Sequence, residues 1–286
     1  MKNRDGAGYV AVALVAAPVV VGGLYSLAAT FGLIGAGADG FGLTRMSRVL
    51  RDSDTWRSIG WTLATALVAT ALATIAALML GVVLRRSRIA RTLVAVPLAV
   101  PHAAAALAML LLLGQSGFLS RLAFAVGAVS QPTAFPALVY DRAGFGLVIA
   151  FAWKEFPFLA LTAWAVLDSM GEELYEVAQT HGANAQSIFR RITWPLLWRG
   201  VAPAVVAVFA FLIGQYEMAV VLAPSDPLPL SMLTFERTLD PDLQRRGEAH
   251  LLGLIALLLS AGLVLIHERL RASAMLRSGQ GVPHAS

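Results

Sequence analysis

The chain has 286 residues, of which 58% are hydrophobic and only 14% charged, with a mean hydropathy of +0.72. A soluble domain carries about 25% charge, so these proportions exclude an ordinary globular protein and indicate an all-α polytopic membrane protein. The net charge of +5 would suggest a nucleic-acid partner in a soluble protein, but here the arginines flank apolar runs and point to membrane topology instead; the absence of cysteine excludes disulfides and thiolate metal sites.

Six stretches are long enough to cross a hydrocarbon core of about 30 Å, which takes about 20 helical residues. The first, near residues 9–34, follows Lys2 and Arg4, is too long for a signal-peptide core and lacks a convincing cleavage site, so it reads as the first membrane helix. The segment Asp39–Trp56 reads as a glycine-rich turn and a short amphipathic helix, with Leu43, Met46, Val49 and Leu50 set against Arg45, Arg48 and Arg51. Such a helix either lies in the interface as a docking surface or lids the helix ends. The second and third stretches fall near residues 56–84 and 89–113, separated by a tight turn crowded with Arg85, Arg86, Arg88 and Arg91. That density, with Arg190, Arg191 and Arg199 and with Arg269, Arg271 and Arg277, places both termini and these turns in the cytoplasm. Phe118–Val129 is a further surface helix. The fourth, fifth and sixth stretches lie near residues 145–167, 201–223 and 251–268, and the chain is read as one membrane domain, 1–286.

Between the fourth and fifth stretches runs ELYEVAQTHGANAQSIFRRITWP, Glu173–Pro195, within a loop spanning 171–195. Leu174, Val177, Ala178 and His181 recur at helical spacing. Gly182 suits the left-handed conformation that ends a helix, and Asn184 suits the cap of a second one. That second helix carries Ile188, Phe189 and Ile192 beside Arg190 and Arg191, and Pro195 is expected to close it at the first turn of the next membrane helix.

The order Glu176, Ala178, Gly182, Ile192, Pro195 resembles the EAA loop of bacterial ABC importer permeases (E-A-A, three residues, G, nine residues, I-x-L-P), with Val177 and Trp194 as apolar departures from alanine and leucine. Other stretches are similar to that superfamily's polyamine, thiamine, iron and phosphonate branch: Trp61–Thr62–Leu63, Pro97 with Pro101, Lys154–Glu155–Phe156–Pro157–Phe158, Gly214–Gln215–Tyr216–Glu217 and Pro227–Leu228–Pro229. The resemblance covers roughly Trp56–Glu268. It implies a type I permease fold in the bacterial inner membrane, with a coupling hairpin that docks on a separate ABC ATPase through Glu173, Glu176, Val177, Ala178, His181, Gly182, Ala183, Phe189, Arg190, Ile192 and Pro195. It further implies two copies of that ATPase, a second permease subunit of the same or a paralogous kind, an extracytoplasmic solute-binding protein and surrounding lipid as partners, and no nucleic acid. ATP and Mg belong to the partner: no G-x-x-x-x-G-K-[ST] loop is present here, no cofactor is expected in this chain, and it is not expected to be an enzyme.

Lys154, Glu155 and Glu217 are charges inside apolar stretches, where each costs about 2.5–3.5 kcal/mol unless paired or facing a polar cavity. Two readings stay open. In one, Lys154 pairs with Glu217 or a facing subunit while Glu155 lines a translocation pathway. In the other, they form a buried ion pair that fixes helix packing. An ion-coupled secondary transporter, with these three residues as a proton relay, is the alternative function. His102 stands alone beside Pro101, and His181, His250, His267 and His284 are scattered without metal-ligand spacing.

Overall fold

The computed structural model describes residues 2–84, 87–171 and 173–279, with side chains at 9–84, 87–171 and 175–272. The expected arginines Arg85 and Arg86, and the side chains of Lys2, Arg4, Glu173, Leu174 and Arg277, lie outside the described residues. The protein is all-α, and among the described residues there is no strand. Six helical stretches are long and apolar enough to cross a membrane: 9–30, 53–83, 102–125, 145–169, 185–213 and 243–272. Spatially the chain falls into two compact units, 1–60 with 228–258 and 61–227 with 259–286.

The first unit holds α1 (Lys2–Thr30), α2 (Thr44–Arg51), the start of α3 (Ser53–Val83), α12 (Leu230–Leu239) and the first part of α13 (Leu243–Gly279). Here the amphipathic reading of α2 needs correction. Arg45, expected on the polar side, is 3% exposed and points inward beside Val49 at 2%. Its guanidinium donates to the Ala29 carbonyl at 2.6 Å, to the Gly37 carbonyl and to Gln244 Oε1 at 3.3 Å. Both carbonyls lie where the chain leaves α1 through Gly32, Gly35, Gly37 and Gly40, all at positive φ, so neither has a regular helical donor: Ala29 O also takes the Gly32 N–H at 3.1 Å, and Gly37 O the Gln244 side-chain amide at 3.1 Å. On α13, Gly247 lets the guanidinium pass: a Cβ there would meet Arg45 Cζ at 2.6 Å. Arg48 pairs with Glu248 at 2.9 Å, and Arg237 of α12 with Asp52 at 2.9 Å. The helix is therefore bound by its arginines to its own unit.

The second unit is organised around α7 (Phe145–Ser169), whose Leu147, Val148, Phe151, Leu159, Ala160, Ala163, Trp164 and Leu167 are buried. Packed against it are α4 (Arg88–Ala95), the 3₁₀ turn Val96–Ala99, α5 (His102–Leu113), α10 (Trp194–Ile213) and α11 (Ala219–Leu222). The α3 segment of this unit meets α7 through Trp164, whose indole donates to the Gly81 carbonyl at 3.0 Å. At the end of α7, Asp168 takes a two-pronged contact from Arg91 of α4, at 2.7 and 3.0 Å, and that guanidinium lies 5.4 Å over the Trp164 ring. A forked arginine–carboxylate pair resting on an aromatic face fixes orientation as well as distance.

Two stretches differ from the expected spans. The third does not run unbroken over 89–113: it goes from α4 through the 3₁₀ turn, breaks at Val100–Pro101, restarts as α5 and turns at Gly114–Gly117 into α6 (Phe118–Ala125). Pro101 supplies no amide proton to the Pro97 carbonyl, and the helix is broken at that point. The fifth lies earlier than 201–223. It is helical from Ala185 to Ile213, breaks at Gly214–Met218 and resumes for one turn as α11.

Arg45 has three internal acceptors and almost no contact with solvent, whereas Arg51, at the end of the same helix, is exposed. Hydrogen bonds to charged groups contribute about 1.5–3 kcal/mol each, and an exposed substitution changes stability by about 0.5 kcal/mol or less. Thermal unfolding in detergent should therefore show a large loss for Arg45→Met and almost none for Arg51→Met. Equal, small effects would mean that the inward guanidinium does not hold the unit together.

Candidate functional site

The residues singled out in the sequence fall into two groups, both in the second unit. The first is the hairpin between α7 and α10. Its first helix, α8 (Glu173–Thr180), ends in a pair of crossed backbone bonds: Gly182 N–H to Gln179 O at 2.9 Å and Ala183 N–H to Ala178 O at 3.1 Å. Gly182 sits at φ 76°, the left-handed position such an ending requires. Its second helix, α9 (Ala185–Ile188), is capped by the Asn184 side chain, which accepts from Ser187 N–H at 2.9 Å. His181 folds back on its own turn, with Nδ1 2.8 Å from the Val177 carbonyl.

Beyond α9 the chain departs from expectation. Pro195 lies in the first turn of α10, as expected, but does not close the hairpin; helical structure runs on through a π-turn, Phe189–Thr193, directly into α10. The Trp194 N–H bonds the Phe189 carbonyl, five residues back. In a regular α-helix the Pro195 ring would collide with the Arg191 carbonyl, and the wider turn relieves that clash. Ile188 and Thr193 are buried, Ile192 and Ala183 are half-buried, and Glu176, Arg190 and Arg191 are exposed. Val177 is 57% and Phe189 39% exposed, so the hairpin presents apolar side chains outward. Below it, Val82, Leu167, Tyr175, Gln179, Ile188 and Phe189 help to line a cleft of about 270 Å³.

The second group is the charge cluster in α7. Lys154 and Glu155 are buried, at 4% and 9% exposure. Lys154 Nζ donates to the Pro97 carbonyl at 3.1 Å, and Glu155 Oε1 lies 3.3 Å from His102 Nε2. Pro101 explains the first contact. Its missing amide would have bonded Pro97 O in an α-helix, and that carbonyl instead takes the Val100 N–H and the Lys154 ammonium. His102 opens α5 and its ring lies 5.4 Å from that of Phe211 on α10. Although adjacent residues on a helix point about 100° apart, both charges reach the same broken segment, one on each side of the break. The expected Lys154–Glu217 pair is absent. Glu217 lies in the break between α10 and α11, is exposed, and its backbone N–H bonds Gln215 Oε1 at 3.0 Å. His102, read from sequence as a lone histidine, is the partner that sequence reasoning missed, and only its place beside a helix-breaking proline hinted at it. Among the described residues, no three His, Asp or Glu side chains are grouped to hold a metal ion.

A double-mutant cycle separates these pairings. His102→Gln with Glu155→Gln should show a coupling of about 1 kcal/mol in thermal stability, as for residues in contact, while Lys154→Met with Glu217→Gln should be additive within about 0.5 kcal/mol. Coupling of the second pair and none of the first would reverse the assignment.

The chain is similar to known proteins over most of its length. Residues 69–273 match the family described as binding-protein-dependent transport system inner membrane components. The chain is 27% identical over 192 residues to the galactooligosaccharides transport system permease protein GanP of Bacillus subtilis, covering 58% of this chain and 42% of that protein. It is 29% identical over 165 residues to a probable molybdenum ABC transporter permease protein of Haloferax volcanii, covering 54% and 56%. The chain thus spans about half the length of these two relatives. A chain in the crystal structure of a bacterial alginate ABC transporter, in complex with an alginate pentasaccharide-bound periplasmic protein, has the same fold, with a TM-score of 0.68, 16% identity and coverage of 92% and 93%. With well over half of its length matched, this chain belongs to the family of binding-protein-dependent transport system inner membrane components.

Proposed function

We propose that the chain is the permease subunit of an ATP-driven importer of the bacterial inner membrane, forming the translocation pathway and taking its energy from a separate ATPase. The observation that carries this reading is the hairpin 173–195 in a chain of this family: a doubly capped knob with exposed Val177, set between two membrane spans. Its connection to the membrane supports the mechanism. Because helix continues from Ala185 to Ile213, 29 residues without a loop, a displacement of the knob moves a rod of about 43 Å at 1.5 Å per residue. A loop at Pro195 would have absorbed such a push.

In this reading two permease subunits, identical or paralogous, enclose the pathway and two ATPase copies hold their hairpins. ATP-driven closure draws the hairpins together and opens the helices outward, where a solute-binding protein delivers cargo. Both termini and the hairpin face the cytoplasm. ATP and Mg act on the partner, and the work of this chain is conformational. Glu155 with His102 would line the pathway at the break in the third stretch, while Lys154 holds that break against α7. For the ion-coupled alternative the exposed Glu217 is poorly placed, since among the described residues no hydrogen bond or ion pair joins it to Lys154 or Glu155.

Glu176→Lys and Gly182→Trp should abolish uptake while the permease still reaches the membrane. The first reverses a charge on the exposed face of α8, and the second puts a bulky residue at φ 76°. Full uptake with full ATPase stimulation in either variant would remove the hairpin from the coupling path. Orientation is read separately. In this cysteine-free chain, a cysteine at Ser187 should react only with reagents that reach the cytoplasm and one at Ser130 only from outside; the opposite labelling would invert the topology.

A further inference from the structure

The start of the fifth span carries three exposed aromatic rings in a row. Phe189 lies 6.3 Å from Trp194, and Trp194 lies 6.3 Å from Trp198 with the planes only 16° apart. Trp194 and Trp198 are a regular i,i+4 pair. Phe189 and Trp194 are five apart, which in an α-helix would turn them about 140° from each other. The π-turn brings them to one side, because its wider turn bonds Trp194 N–H to Phe189 O, five residues back. All three rings are about 40% exposed. Beside them stand Arg190, Arg191 and Arg199, exposed and, among the described residues, without an acidic partner. Three rings and three unpaired cations thus share one end of a membrane helix.

Depth decides what such a surface meets. The 20 residues of α10, Trp194–Ile213, are about 30 Å long at 1.5 Å per residue, the thickness of the hydrocarbon core. With α10 filling the core, Trp194 stands at its boundary, Arg190 and Arg191 lie among the headgroups, and Arg199, one turn deeper, extends its guanidinium back towards them. Tryptophan is enriched at this level, and arginines there are attracted to anionic headgroups.

We propose that the Phe189–Trp194–Trp198 ladder and Arg190, Arg191 and Arg199 form a binding surface for the headgroup of an anionic phospholipid. The guanidinium groups take the phosphate and the rings pack on the glycerol and upper acyl carbons. The surface anchors the π-turn, and through it the base of the hairpin, at the membrane boundary. It rests on α10 filling the hydrocarbon core with Trp194 at the boundary, and it assigns Phe189 and Arg190 to lipid rather than to ATPase docking, leaving the rest of the hairpin for that contact.

The test uses the purified full-length chain in vesicles, without ATPase or substrate. Tryptophan fluorescence is followed as phosphatidylcholine is replaced by brominated phosphatidylglycerol or brominated phosphatidylcholine, and the signal of a Trp194→Phe/Trp198→Phe variant is subtracted. The ladder's own signal should be quenched at about 5-fold lower mole fraction of the brominated anionic lipid, the factor one basic residue supplies at a charged surface, and the preference should shrink with added salt. The Arg190→Gln/Arg191→Gln/Arg199→Gln variant should lose the preference, and the corresponding triple lysine variant, which keeps the charge, should retain most of it. Equal quenching by both lipids, or an undiminished preference in the glutamine variant, overturns the proposal. No quenching of the ladder by either lipid also overturns it, since protein rather than lipid would then cover the rings. Because transport is not measured, failure here is distinct from failure of the import reading.

Discussion

Within hydrocarbon no water is available for backbone N–H and C=O groups, so every such group must find a partner inside the protein. That requirement makes each span helical and turns each proline into a local problem with a local remedy. At Pro101 the amide is missing, the Pro97 carbonyl is released, and Lys154 reaches from α7 to take it. The same contact solves a second problem, the cost of burying an ammonium. One interaction therefore satisfies a backbone group, a charge and the packing of the broken third stretch on α7. At Pro195 the remedy is different. The helix widens into a π-turn and the chain continues without a break. The difference matters mechanically, because the first device makes a joint and the second preserves a rod.

Features set by neighbours in the chain were legible in the sequence. The six apolar stretches, the left-handed turn at Gly182 and the Asn184 cap follow from local composition and local hydrogen bonding, and the structure has each of them. What depended on distant partners was not legible. Arg45 looked like the polar side of a surface helix, since only the folded unit brings the carbonyls of Ala29 and Gly37 and the gap at Gly247 around it. Glu217 looked buried because Val201–Ala223 is apolar, but the helix ends at Ile213 and leaves that carboxylate in a turn. His102 and Glu155, 53 residues apart, are joined only because the break at Pro101 starts a helix at the right place. Pro195 stands in the first turn of α10, as expected, but it does not end the hairpin helix before it: proline rules describe the α-helix, and the chain answered with a wider turn.

The hairpin and the charge cluster meet at α10. Its first turn continues from the hairpin, and its Phe211 lies against His102. In the proposed mechanism a displacement imposed at the knob would reach the break in the third stretch along this helix, with few compliant joints between. The aromatic ladder at the base of the same helix would give the rod a fixed point at the membrane boundary.

Energy transfer by this route requires direct contact between the hairpin and an ATPase. A photoactivatable crosslinker attached to cysteine at Val177, a 57% exposed position in a chain with no other cysteine, would report what touches the knob in membranes that hold the whole system. The proposed mechanism predicts one principal protein adduct, containing the ATPase subunit, whose yield changes as nucleotide opens and closes that subunit. Adducts with lipid alone, or with proteins other than an ATPase, in membranes that still import, would contradict it.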